Sequence, residues 1–109
     1  MEVEELIMKK NVELMKALSD ETRLKILQFL GQEERCQCEI VPAMEKSQST
    51  ISQHLQILIN SGVLEYRKEG QRSLYILKDE RIRKILELVN SISKDSLLEI
   101  SKLAKSIEK

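Results

Sequence analysis

Apolar residues recur along the chain at two periods, and the changes of period divide it into elements. Val3, Leu6, Ile7, Leu14, Met15 and Leu18 stand three or four apart or at sums of these, which predicts one helix over residues 2–18. Ser19 and Asp20 interrupt it; Ser19 suits an N-cap, with Asp20 and Glu21 in a first turn. Leu24, Ile26, Leu27 and Leu30 carry a second helix, and Gly31 stands where a C-terminal glycine stops one. After the polar stretch Gln32–Cys38 a short helix is expected from about Glu39 to Glu45. Pro42 fits best in a first turn, which moves that start toward Ile40 or Val41. Ser47 reads as the N-cap of a longer helix with Ile51, Leu55, Leu58 and Ile59 inward, closed by Asn60-Ser61-Gly62. The period then shortens. Val63–Lys68 and Ser73–Leu77 flank Glu69-Gly70-Gln71-Arg72 and read as a hairpin. From Asp79 to Ile107 helical spacing returns through Ile82, Ile85, Leu86, Val89, Ile92, Leu97, Ile100, Leu103 and Ile107, with Ser91, Ser93 and Ser96 expected to loosen the middle.

A short helix, a tight turn and a second helix make a helix-turn-helix, placed at residues 39–60. In that motif the first turns of the second helix meet base edges in the major groove. Here those turns carry Ser47, Gln48, Ser49, Thr50, Ser52, Gln53, His54 and Gln56. Amides read adenine edges, hydroxyls bond bases or phosphates, and a helix N-terminus attracts a phosphate. His54 reads as a base or phosphate contact rather than a metal ligand. The hairpin, residues 63–77, adds Arg67, Lys68 and Arg72 for the neighbouring backbone or minor groove. A polar helix start alone is often only a solvated face, and a basic hairpin alone only a soluble one. Their adjacency in this order points to double-stranded DNA.

Composition changes the picture in three ways. The 109 residues amount to one domain, 41% hydrophobic and 33% charged, so the chain reads as soluble and globular. With one Phe, two Tyr and no Trp, the core must come from Leu, Ile, Val and Met, which suits helices and dimerisation. The net charge is zero but unevenly spread: residues 1–45 hold 6 basic and 10 acidic side chains, residues 46–72 hold 4 and 2, and residues 73–109 hold 8 and 6. The basic excess begins at the second helix of the motif. No run approaches the roughly 18 apolar residues of a membrane span, and the acidic start is unlike a signal peptide. A cytoplasmic location is therefore expected, where Cys36 and Cys38 read as thiols, metal ligands or a redox pair rather than a staple. No enzyme is indicated: hydrolase, phosphate-loop and metalloprotease motifs are absent, and there is a single His. A protein-interaction module is the other class, disfavoured because the exposed helix face is polar.

Four blocks carry a family resemblance: Ala17-Leu18-Ser19-Asp20-Glu21-Thr22-Arg23-Leu24-Lys25-Ile26-Leu27, Cys36-Gln37-Cys38-Glu39-Ile40, Ser47 through Leu58, and Gly62-Val63-Leu64 leading to Arg67-Lys68-Glu69-Gly70. Over residues 10–78 the chain resembles the ArsR/SmtB winged-helix repressors of arsenical resistance and metal sensing. The resemblance implies a mainly α fold with a small β-hairpin, one winged helix-turn-helix domain over residues 1–109. It also implies a homodimer formed through the first and last helices (1–18 and 79–109). Such a dimer binds a twofold operator with recognition helices about 34 Å apart and releases it when an inducer binds.

Cys36-x-Cys38 falls where arsenic- and cadmium-sensing members carry their C-x-C ligands. The resemblance thus implies that As(III), Sb(III) or a soft divalent metal acts there as inducer, with no cofactor otherwise required. The chain departs from the pattern in three places. Val41 stands where the arsenic sensor has a third Cys, residues 1–35 contain no Cys, and the last helix has no His for the alternative zinc site. The pair can therefore be read as a metal or metalloid sensor, as a thiol redox switch through Cys36–Cys38 or an intersubunit disulfide, as a vestige that no longer senses, or as a site for another ligand. A direct bond between Cys36 and Cys38 closes only a small ring.

Overall fold

The computed structural model describes residues 2–107 and divides into a compact unit ending at Asp79 and the helix that follows it. In the first unit come α1 (Val3–Leu18), α2 (Glu21–Leu30), β1 (Arg35–Cys36), α3 (Gln37–Met44), α4 (Gln48–Asn60), β2 (Leu64–Glu69) and β3 (Arg72–Leu77); α5 (Glu80–Ile107) is the second. Helices α2, α3 and α4 with the small sheet form a winged helix-turn-helix, with α3 and α4 as the motif and β2–β3 as the wing.

The helix starts follow from their caps. Asp20, not Ser19, caps α2: its extended backbone brings Oδ2 to accept the Arg23 N–H at 3.0 Å, while Ser19 closes α1 by donating its own N–H to the Lys16 carbonyl. Ser47 caps α4 as the sequence predicts, accepting from the Thr50 N–H at 3.2 Å. The larger difference is at α3, which begins at Gln37 instead of near Ile40. Cys36 is its N-cap: the sulfur accepts the Cys38 N–H at 2.9 Å, and Glu39 Oε1 accepts the Cys36 N–H at 3.1 Å. This is the reciprocal arrangement of a capping box, with sulfur in place of a hydroxyl. Pro42 consequently sits inside the helix, where it offers no N–H to the Cys38 carbonyl, and α3 ends two residues later.

The sheet has the order β1-β3-β2 and is antiparallel throughout. The hairpin register runs from Leu64 opposite Leu77 to Glu69 opposite Arg72, so the turn is Gly70-Gln71 alone. Gly70 has φ +63, the sign that a two-residue hairpin demands at its first central position. Strand β1 was not expected from the sequence: two residues are too few to show a period. It places Cys36 opposite Leu74 and Arg35 opposite Tyr75.

The core of the first unit is aliphatic. Ile26, Leu27 and Leu30 of α2, Ile40 of α3, Ile51, Leu55 and Leu58 of α4, and Val63, Leu64 and Leu74 around the sheet are all buried, with Ala17, Cys36 and Tyr75. In α1, Val3, Leu6, Ile7, Met8, Val12 and Met15 remain exposed. Helix α5 runs unbroken through Ser91, Ser93 and Ser96, so those serines do not loosen it. It exposes a stripe that includes Val89, Ile92, Ile100 and Leu103. No helix among the described residues is long and apolar enough to cross a membrane.

Leu55 is 1% exposed, so Leu55→Ala is expected to lower the unfolding free energy by about 2–5 kcal/mol. Gln53→Ala, on the exposed side of the same helix, should stay within about 0.5 kcal/mol. Denaturant titrations followed by circular dichroism measure both, and equal losses would contradict the assigned faces of α4.

Candidate nucleic-acid interface

The turn between α3 and α4 depends on Glu45, which adopts the left-handed conformation (φ 54, ψ 34). A side chain seldom tolerates that region, but one such residue here reverses the chain within three positions. Beyond it, Ser47 holds a hydroxyl cluster together: its Oγ lies 2.8 Å from Thr50 Oγ1 and 3.3 Å from Ser49 Oγ. Of these hydroxyls, that of Ser47 also accepts a first-turn amide of α4, the Thr50 N–H. Burial of Ile51, Leu55 and Leu58 turns the opposite face outward, and Gln48, Ser49, Ser52, Gln53 and Gln56 are exposed there, with Thr50 half-buried.

Two of these side chains are already engaged. Ser52 Oγ accepts from Gln37 Nε2 at 2.7 Å, and Gln37 Oε1 accepts from the Tyr75 hydroxyl at 3.3 Å. That chain of contacts links α4, α3 and β3, and sequence reading missed Gln37 because nothing local marks it. Gln56 donates to Asn60 Oδ1 at 2.8 Å.

His54 is placed differently from the other polar residues of α4. Its ring faces α2, with Nδ1 3.1 Å from Arg23 Nη1 and 3.8 Å from Asp20 Oδ2. Arg23 also donates Nε to the Ala17 carbonyl at 2.6 Å and Nη2 to the Lys16 carbonyl at 3.2 Å. The Asp20–Arg23–His54 group therefore joins the end of α1, the start of α2 and the middle of α4. The signal was present in the Ser19-Asp20-Glu21-Thr22-Arg23 block, but its partner lies 31 residues away from Arg23.

On the wing, Lys68 and Arg72 are exposed. Arg67 is held: Nε and Nη2 donate to the two oxygens of Glu34 at 2.8 Å each, and Nη2 also meets Glu69 at 3.1 Å. That bidentate contact fastens the wing to the loop before β1. Arg35, next to the cysteine pair, lays its guanidinium 4.9 Å from the centre of the Phe29 ring and pairs with Glu33 and Glu39.

Cys36 and Cys38 are bonded to each other. Their exposure is unequal, since Cys36 is 2% exposed and Cys38 lies at the surface. Both border an open cleft of about 520 Å³ whose lining also includes Pro42, Gln48 and the wing residues Lys68, Arg72 and Ser73. Among the described residues no group of three or more His, Cys, Asp or Glu side chains is placed to hold a metal ion. Reduced, the pair supplies two soft donors, and one chain does not complete the three- or four-coordinate site that thiophilic ions take.

Among the described residues, Asp20, Glu34 and Glu39 are carboxylates held below their ordinary range. The Arg23 N–H does this for Asp20, the Arg67 guanidinium for Glu34, and the Cys36 N–H for Glu39, in each case against a smaller opposing effect of burial. Glu34 in turn holds the proton on Arg67 more tightly. A carboxyl whose folded pKa is depressed adds stability above its unfolded pKa and loses it as the pH falls. The protein should thus lose stability progressively as the pH drops from about 5 toward about 1. Asp20→Asn keeps a capping oxygen but removes one titrating group, so thermal melts across that range should show a shallower acid-side loss. An unchanged slope would remove Asp20 from the account.

Residues 20–66 match the family model for bacterial regulatory proteins of the arsR family. An uncharacterised HTH-type transcriptional regulator of Methanocaldococcus jannaschii is 40% identical over 84 residues, 76% of this chain and 94% of that protein. A Staphylococcus aureus homologue of the cadmium resistance regulatory protein CadC is 44% identical over 75 residues; the match covers 68% of this chain but only 62% of that relative. Among solved structures, the homodimeric winged helix-turn-helix DNA-binding domain of a possible ArsR-family regulator from Mycobacterium bovis superposes with a TM-score of 0.81 at 30% identity, covering 89% of this chain and 90% of that one.

Proposed function

The chain belongs to the arsR family of bacterial regulatory proteins, DNA-binding transcription regulators rather than enzymes, and from that premise we propose a homodimeric repressor released from its operator by a thiol-directed effector. One observation carries the DNA half of this reading. The exposed polar face at the start of α4 and the exposed cations of the wing belong to one compact unit, with the core holding α4 by its other face. In this reading Gln48, Gln53 and Gln56 meet base edges, and Ser47, Ser49, Thr50 and Ser52 bond phosphates or bases. Lys68 and Arg72 follow the backbone. Arg67 serves there when it exchanges Glu34 for a phosphate. His54, turned to α2, acts as a positioning residue for α4.

The homodimer reading rests on the exposed apolar stripes of α1 and of α5, each of which needs cover, and on the homodimeric Mycobacterium bovis neighbour. A dimer doubles the few cations each chain offers. The cytoplasm is the place where such a regulator meets its operator.

For the effector, As(III), Sb(III) or a soft divalent ion suits the reduced pair, with the remaining donor coming from outside the chain. The Cys36–Cys38 bond favours a second reading, in which oxidation and reduction of the pair are themselves the signal. Titrating As(III), Cd(II) and, separately, an oxidant into the reduced protein on operator DNA distinguishes the two. Whichever agent releases the DNA should fail on the Cys36→Ser/Cys38→Ser variant. If none weakens binding, the effector reading is wrong.

The DNA contacts have their own test. Gln53→Ala should cost about 1–3 kcal/mol on the operator and little on scrambled DNA. Lys68→Ala and Arg72→Ala should weaken both alike and each reduce the salt slope by about 1. Fluorescence anisotropy at several salt concentrations reads these values; equal losses on both DNAs for Gln53→Ala would overturn its assignment.

A further inference from the structure

The cleft beside the cysteine pair has a composition that neither metal capture nor simple oxidation needs. The exposed residue Cys38 lines it together with Val41 and Pro42. Lys68 and Arg72 of the wing line the same cleft, with Gln48 and Ser73 among its neutral hydrogen-bonding groups. No carboxylate is among the described residues that line it. Glu39 feels the charge of Arg72 but is engaged with the Cys36 N–H and Arg35. A disulfide at the edge of a cleft about 520 Å³ in volume and lined by two cations suits a small anion that carries its own sulfur.

We propose that the cleft takes a low-molecular-weight thiol bearing carboxylates and that this thiol exchanges onto Cys38. Its thiolate attacks Cys38 Sγ from the cleft. A new sulfur–sulfur bond forms between the two, the Cys36–Cys38 bond breaks, and Cys36 leaves as thiolate, taking up the proton that the incoming thiol gave to solvent. Nothing is oxidised overall: one disulfide is exchanged for another. Two features set the direction of attack. Cys38 is exposed, whereas Cys36 is 2% exposed. Cys36 Sγ also accepts the Cys38 N–H at 2.9 Å at the start of α3, which stabilises charge on the departing sulfur. The carboxylates of the bound thiol pair with Lys68 and Arg72. The adduct then occupies the space between the start of α4 and the wing with negative charge, where a DNA phosphate is to approach. This last consequence rests on the proposed DNA-binding reading; the exchange itself does not.

The experiment uses the oxidised full-length protein and three small thiols of similar size: thioglycolate (anionic), 2-mercaptoethanol (neutral) and cysteamine (cationic). Products are trapped with N-ethylmaleimide and mapped by peptide mass spectrometry. The expected product carries the thiol on Cys38 and maleimide on Cys36; the reverse placement overturns the proposal. Lys68→Gln/Arg72→Gln should slow exchange with thioglycolate about five- to tenfold, the effect of one or two surface charges, and leave 2-mercaptoethanol unchanged. Equal rates for wild type and this variant with thioglycolate would remove the cations from the site. In a separate arm, Cys36→Ser protein thiolated on Cys38 by dithiodiglycolate should bind operator DNA at least tenfold more weakly than the same variant unmodified. Cys38 exchange with full retention of DNA binding would overturn the regulatory consequence alone. Failure of the unmodified protein to bind any DNA would instead overturn the function proposed above.

Discussion

Everything presented to solvent by the recognition segment depends on the burial of one side of α4. Ile51, Leu55 and Leu58 are almost completely withdrawn from water, at 0%, 1% and 0% exposure, and are packed within a core of α2, α3 and the sheet. A helix has 3.6 residues per turn, so fixing three positions on one side fixes where every other side chain points. Gln48, Ser49, Ser52, Gln53 and Gln56 are outward for that reason and not through any contact of their own. A core whose one buried ring among the described residues is that of Tyr75 achieves this with branched aliphatics that have few accessible rotamers. The orientation of a reading surface is thus an outcome of apolar packing several ångströms behind it.

The polar links work on top of that packing and are unequal in kind. Asp20, Arg23 and His54 tie α4 to α2 in a half-buried setting, where hydrogen bonds hold better than on an open surface. Gln37 bridges α4 to β3. The Arg67–Glu34 pair is more exposed and contributes little to stability as an ion pair, yet its bidentate geometry fixes where the wing lies relative to the loop leading to Cys36. Wing placement and the cysteine segment are therefore mechanically adjacent: Glu34 holds one, and two residues later Cys36 begins α3 and pairs with Leu74 of the wing strand.

How much of this was legible depended on how local each cause is. The helical periods, the Ser47 cap and the Gly70 turn are written within a few residues of one another, and the structure follows them. The start of α3 was not readable because a cysteine is not among the usual capping residues. Pro42 then weighed more in the sequence than it does in the fold, where it shortens a helix already begun by Cys36 and Glu39. The two-residue strand β1 has no period to detect. Arg67 and His54 looked like free polar groups because their partners Glu34 and Arg23 are 33 and 31 residues away. The composition of helix α4 was legible, and the inward turn of one of its polar residues was not.

The position of Cys36 ties the cysteine pair to the helix pair that presents the polar face of α4. One residue serves as strand, as helix cap and as disulfide partner. Its backbone is paired to β3, its N–H is held by Glu39, and its sulfur accepts the second amide of α3. A change in what its sulfur is bonded to is therefore a change in the cap of α3, the first helix of the motif that carries α4. In the proposed regulation, an effector at the pair would act on a helix terminus that the cap and the strand pairing already join to both the wing and the helix pair.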